Sequence, residues 1–105
     1  MSTPKEYFEK LNGSLTAEKA SAIGAVYQFN VTGDNEGIWV VDLTKQSDFV
    51  SEGASDNAEC TITVTSSDFM DMVEGRLPGP QAFMMGKLKI DGNMALAMKL
   101  GNVIG

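Results

Sequence analysis

The chain has 105 residues, 14 acidic and 8 basic side chains, a net charge of −6, one cysteine and no histidine. That length suits one hydrophobic core, and an apolar fraction of 43 % is ordinary globular usage that argues against disorder. The charge argues against a nucleic-acid partner, which needs a basic footprint, and no apolar run approaches the roughly 20 residues of a membrane span.

Thr3-Pro4-Lys5-Glu6 predicts a helix start, with Thr3 as the cap, Pro4 at the first helical position and Glu6 completing a capping box. Phe8 and Leu11 share its inner face, and Asn12-Gly13 is expected to end it. Thr16 caps a short second helix to about residue 22. The hydrophobic period then falls to two. Ala25, Tyr27, Phe29 and Val31 point one way, with Val26, Gln28 and Asn30 pointing the other. The cluster Gly33-Asp34-Asn35-Glu36-Gly37 is a hairpin turn, and Trp39, Val41 and Leu43 share a face of the return strand. A weak edge strand is expected over residues 48–52, followed by a loop at Ser55-Asp56-Asn57-Ala58. Residues 59–65 form a clear strand, with Cys60, Ile62 and Val64 inside and three threonines outside.

Ser66-Ser67-Asp68 predicts the cap of a helix that carries Phe69, Met72 and Val73 on one face and stops at Gly75. Leu77-Pro78-Gly79-Pro80 breaks the chain, residues 81–85 make about one helical turn, and residues 87–90 alternate as a lysine-bearing edge strand. A last helix is expected over residues 94–103. It has two apolar stripes, Met94, Ala97, Met98 and Gly101 in one and Leu96, Leu100, Val103 and Ile104 in the other. A surface helix normally shows one stripe. Two mean either a central core helix or a helix with one side on the sheet and the other on a removable apolar guest. A terminal helix in so small a chain is seldom enclosed by protein, which favours the guest. Six of the seven methionines fall between Met70 and Met98, and methionine lines surfaces that accept varied apolar partners.

Catalytic chemistry is poorly supplied. Without histidine the commonest general base and metal ligand are missing, and Cys60 lies in an inward strand row as a small buried hydrophobe that has no internal disulfide partner. Asp68, Asp71 and Glu74 suit the dipole and solvent face of one helix. Asp42, an acid within an apolar strand, belongs to the outward side of the hairpin or is a functional carboxylate. The reading is therefore of a chain that is not an enzyme and takes no cofactor or metal. Charge is uneven: residues 1–75 carry 4 basic and 13 acidic groups, whereas residues 76–105 carry Arg76, Lys87, Lys89 and Lys99 against Asp91. These four cations serve solubility or touch an anionic membrane surface transiently.

Several blocks together resemble the sterol carrier protein type 2 family of lipid-binding domains. They are Trp39-Val40-Val41-Asp42-Leu43, Cys60-Thr61-Ile62-Thr63 with Ser67-Asp68-Phe69, and above all the long run from Pro80-Gln81-Ala82-Phe83-Met84-Met85-Gly86-Lys87 through Leu88-Lys89-Ile90-Asp91-Gly92-Asn93-Met94 to Ala95-Leu96-Ala97-Met98-Lys99-Leu100. The likeness runs over nearly the whole chain in one register, as a single domain over residues 1–105. It implies an α+β fold: a five-stranded, mostly antiparallel sheet of order 3-2-1-4-5, covered on one face by helices, with an apolar tunnel between. The implied function is non-catalytic binding and transfer or presentation of a fatty acid, fatty acyl-CoA, phospholipid or sterol. Carried over position by position, the lining would be Met94, Ala97, Met98 and Gly101 from the last helix, Phe69, Met72 and Val73 as a second wall, Phe83 and Met84 as a third, and Trp39 or Val41 in the sheet floor. Some relatives place a ligand-contacting glutamine where this chain has Met98, and methionine there would favour plain hydrocarbon. Peroxisomal members end in a small-basic-leucine tripeptide. This chain ends Val103-Ile104-Gly105 and has no secretory h-region, so a cytoplasmic, stand-alone monomer is expected. The end is also short against relatives in which a further segment closes the tunnel. A second reading is a protein-interaction module that uses the apolar last helix.

Overall fold

A computed structural model describes residues 3–99. Helix α1, Pro4–Ser14, starts as the sequence directs: the Thr3 hydroxyl accepts from the Glu6 amide at 3.2 Å and donates to Glu6 Oε1 at 3.4 Å. It runs past the expected Asn12-Gly13 stop. Asn12 instead turns its side-chain carbonyl to the Val50 amide at 3.1 Å, fastening the helix to an edge strand. Helix α2, Ala17–Ile23, is capped by Thr16 and ends at Gly24 in the left-handed region.

Strands β1 (Val26–Thr32), β2 (Gly37–Asp42), β3 (Val50–Glu52), β4 (Cys60–Thr65) and β5 (Leu88–Gly92) form one sheet of order β3-β2-β1-β4-β5. Every neighbouring pair is antiparallel except the central β1 and β4. Register places Trp39 opposite Phe29, Phe29 opposite Ile62 and Ile62 opposite Ile90, so the inward rows predicted from alternation make one continuous apolar face. The other face carries Gln28, Asn30, Thr61, Thr63 and Lys89. Asp42 belongs to that outer set, where its carboxylate accepts from the Thr44 amide at 2.9 Å and from the Thr44 hydroxyl, a local turn contact.

Helices cover the apolar face. Helix α3, Ser66–Val73, follows β4 without a loop, and its cap is Thr65, not the expected Ser66-Ser67-Asp68. The last strand residue already has extended backbone, so its outward hydroxyl reaches the Asp68 amide at 3.2 Å. Helix α4, Gly79–Met84, begins two residues earlier than the expected turn, with Pro80 in the first turn where its missing N–H costs nothing. Helix α5 spans Met94–Lys99, and the Asn93 side chain accepts from the Ala95 and Leu96 amides at 2.9 and 3.3 Å. The remainder of the expected last helix, with Leu100, Gly101, Val103 and Ile104, lies outside the described residues.

Phe8 anchors the aromatic part of the core. Its ring stacks on Trp39 at 4.9 Å and on Phe69 at 5.2 Å between centroids, with Phe29 at 5.3 Å. The protein's own side chains thus fill the space over β2 and the adjoining side of β1.

Candidate functional site

The other half of the apolar face is not filled. A cavity of about 580 Å³ opens over β1, β4 and β5, within the range of small-molecule sites. Its floor is Phe29 from β1, Ile62 and Val64 from β4, and Leu88 and Ile90 from β5. Phe69 and Met72 of α3 form one wall, the segment containing Gly75, Leu77 and Pro78 leads into a second, and Gly79, Pro80, Phe83 and Met84 of α4 complete it. Met94, Ala97 and Met98 of α5 form the last side. Among the described residues no charged or polar side chain enters this lining.

Seven of the residues singled out in the sequence meet here: Phe69, Met72, Phe83, Met84, Met94, Ala97 and Met98. Trp39, Val41 and Val73 do not line it. Trp39 stands on the same face one strand over from Phe29, against Phe8, with its indole so close over Gly37 that no Cβ fits there. Val41 is fully buried in the filled half, and Val73 packs against the core. Gly101 lies outside the described residues. The floor residues Phe29, Ile62, Val64, Leu88 and Ile90 are not among those singled out, although Phe29, Ile62 and Val64 sit in rows that alternation identifies and Leu88 and Ile90 alternate with the lysines of the edge strand.

The rim is exposed and thioether-rich. Met84 and Met98 are 84 % and 82 % exposed, Met94 43 % and Phe83 42 %. Helix α5 has no fully buried residue. Leu96 and Ala97 are its packed positions, and the Tyr27 hydroxyl donates to the Leu96 carbonyl at 2.6 Å. Leu96 therefore packs toward the sheet, while Met94 and Met98 are exposed and line the cavity.

Titratable groups near this floor are held neutral. Burial, with Cys60 and Glu59 adding to it, raises the Tyr27 phenol to about 12, and burial together with Asp91 raises the Cys60 thiol. Neither group supplies a nucleophile at neutral pH. Among the described residues no three histidine, cysteine or carboxylate side chains gather as a metal site. The four cations of the last third are dispersed. Arg76 pairs with Asp71 and Glu74 at 2.7 Å each, Lys87 stands 3.9 Å from Asp68, Lys89 is on the outer face of the sheet, and Lys99 borders a second cavity of about 430 Å³ beside α1 and α2.

A model of the SCP-2 sterol transfer family matches residues 5–105. Mouse hydroxysteroid dehydrogenase-like protein 2 is 42 % identical over 97 residues, covering 91 % of this chain but only 20 % of that protein's length. Among solved structures, apo sterol carrier protein 2 of Yarrowia lipolytica superposes with a TM-score of 0.83 at 25 % identity, over 93 % of this chain and 86 % of that one. Sterol carrier protein 2 of Aedes aegypti, in complex with the C16 fatty acid palmitate, superposes with a TM-score of 0.65 at 25 % identity, over 90 % and 92 %.

Proposed function

The chain belongs to the SCP-2 sterol transfer family, and from that premise we propose that it binds one long-chain lipid in the cavity over β1, β4 and β5 and carries or presents it without catalysis. The observation that carries this reading is the lining: five inward side chains of the sheet and three helices enclose about 580 Å³ with no polar side chain among the described residues. Such a site recognises hydrocarbon by removing it from water, about 0.8 kcal/mol per methylene. Fatty acid is the favoured cargo because the related Aedes aegypti protein forms a complex with palmitate, while fatty acyl-CoA, phospholipid and sterol share the same apolar chemistry. A polar head group then lies outside, past the exposed rim at Met84 and Met98.

Delipidated protein titrated with palmitate and followed by thermal unfolding tests this. A ligand at 100 times its Kd stabilises the folded state by about 2.7 kcal/mol, which raises the melting temperature by several degrees. An unchanged melting temperature at saturating palmitate counts against it.

The exposed rim methionines also favour a second reading, in which α4 and α5 dock a protein. That reading predicts a stable complex or dimer by mass measurement that palmitate does not alter.

A further inference from the structure

Of the large hydrophobic side chains that line the cavity, two reach furthest into solvent: Met84 at 84 % and Met98 at 82 % exposure. They sit on different helices, α4 and α5, and both line the cavity. Met85, also exposed at 54 %, does not line the cavity and accepts instead from the Gln81 side-chain amide. Exposed thioethers are the ones that peroxides reach, and the sulfoxide is polar where the thioether was apolar. In a lining with no polar side chain among the described residues, that change falls where hydrocarbon must pass and rest.

We propose that Met84 and Met98 are modification sites at which a peroxide oxidant lowers the affinity of the cavity for lipid. The inference rests on the lipid-binding reading above. In each event the peroxide O–O bond breaks and an S–O bond forms. The sulfur loses two electrons, and hydrogen peroxide is reduced to water that keeps both of its hydrogens. Lipid in the cavity covers both sulfurs on the lining side and so slows the approach of peroxide to them. Methionine sulfoxide reductases return the thioether, so the change is reversible.

The experiment oxidises delipidated protein with hydrogen peroxide, maps sulfoxide at each methionine by peptide mass spectrometry, and measures palmitate affinity before and after. Met84 and Met98 oxidise first, and palmitate slows both more than it slows Met85. The oxidised protein binds palmitate about tenfold more weakly, the scale of one poorly paired polar group, and the reductases restore it. The M84L/M98L variant has its own affinity for palmitate, and peroxide no longer changes it. Equal palmitate affinity before and after oxidation, or equal protection of Met85, overturns the proposal while leaving lipid binding intact. If untreated protein does not bind palmitate, the lipid reading fails at that earlier step and this inference fails with it.

Discussion

The Tyr27 hydroxyl, at the end of a fully buried side chain on the central strand, donates to the main-chain carbonyl of Leu96 at 2.6 Å and ties α5 to the sheet. This helix buries none of its residues completely, so among the described residues the Tyr27 bond, the Asn93 amide donating to the Glu59 carbonyl at its start, and the packing of Leu96 and Ala97 hold the wall that carries Met94 and Met98. Tyr27→Phe leaves a carbonyl without its partner and costs about 1 kcal/mol. Urea unfolding measures that loss. Amide exchange faster over residues 94–99 than over β1 shows that it acts on the wall.

The same phenol gives the folded state a dependence on high pH. Its folded value is raised from 10.0 to about 12 by burial first, then by Cys60 and Glu59. Below pH 10 folded and unfolded chains both hold the proton, and the contribution of Tyr27 is fully present. Between pH 10 and 12 the unfolded chain gives it up while the folded chain retains it, so stability falls by up to about 1.4 kcal/mol per pH unit. Unfolding midpoints from pH 8 to 12 fall more steeply for the natural chain than for Tyr27→Phe.

Gly92 closes β5 at φ 111°, opposite Cys60, immediately before α5. A Cβ there would meet the Glu59 carbonyl oxygen, which accepts from the Asn93 amide at 3.1 Å. Gly92→Ala thus combines a disfavoured backbone with a steric clash against main chain, and costs more than about 1 kcal/mol. Chemical denaturation reads the loss. An unchanged midpoint would mean that the turn into α5 relaxes freely.

Much of this was legible from local pattern. Alternation assigned every inward residue of β1, β2 and β4, and the threonine caps of α1 and α2 were plain. The order of the strands and the covered face came from resemblance to a family, because local periodicity says nothing about which strands pair. Met94 and Met98 stand out in the doubled apolar stripe of the last helix, Met84 enters the lining only through the family resemblance, and the floor is not singled out by either. Phe29 and Trp39 are equivalent in any strand pattern and face each other across β1 and β2. One lines the cavity and the other does not, because Phe8 stacks on Trp39 and fills that half. Where a helix lands on a sheet is a tertiary fact. The Thr65 cap was missed for a related reason: a strand residue was doing a helix's work.

Phe8 keeps the filled half filled. Phe8→Ala removes a ring packed against Phe29, Trp39 and Phe69, two of which also border the cavity. The cost is about 3–5 kcal/mol, and Phe8→Leu costs less because it keeps most of the volume. Urea unfolding followed by Trp39 fluorescence measures both, since the indole loses its stacking partner in either variant.

The central claim is that lipid lies over β1, β4 and β5 between α3, α4 and α5. Its most direct test is a palmitate titration of protein carrying ¹³C-labelled methionine methyl groups, observed by NMR. The account predicts that the resonances of Met72, Met84, Met94 and Met98, all lining the cavity, shift together and saturate, while Met70 and Met85 outside the lining stay in place. Methyl signals that never move, or that move at Met85 as much as at Met98, would contradict it.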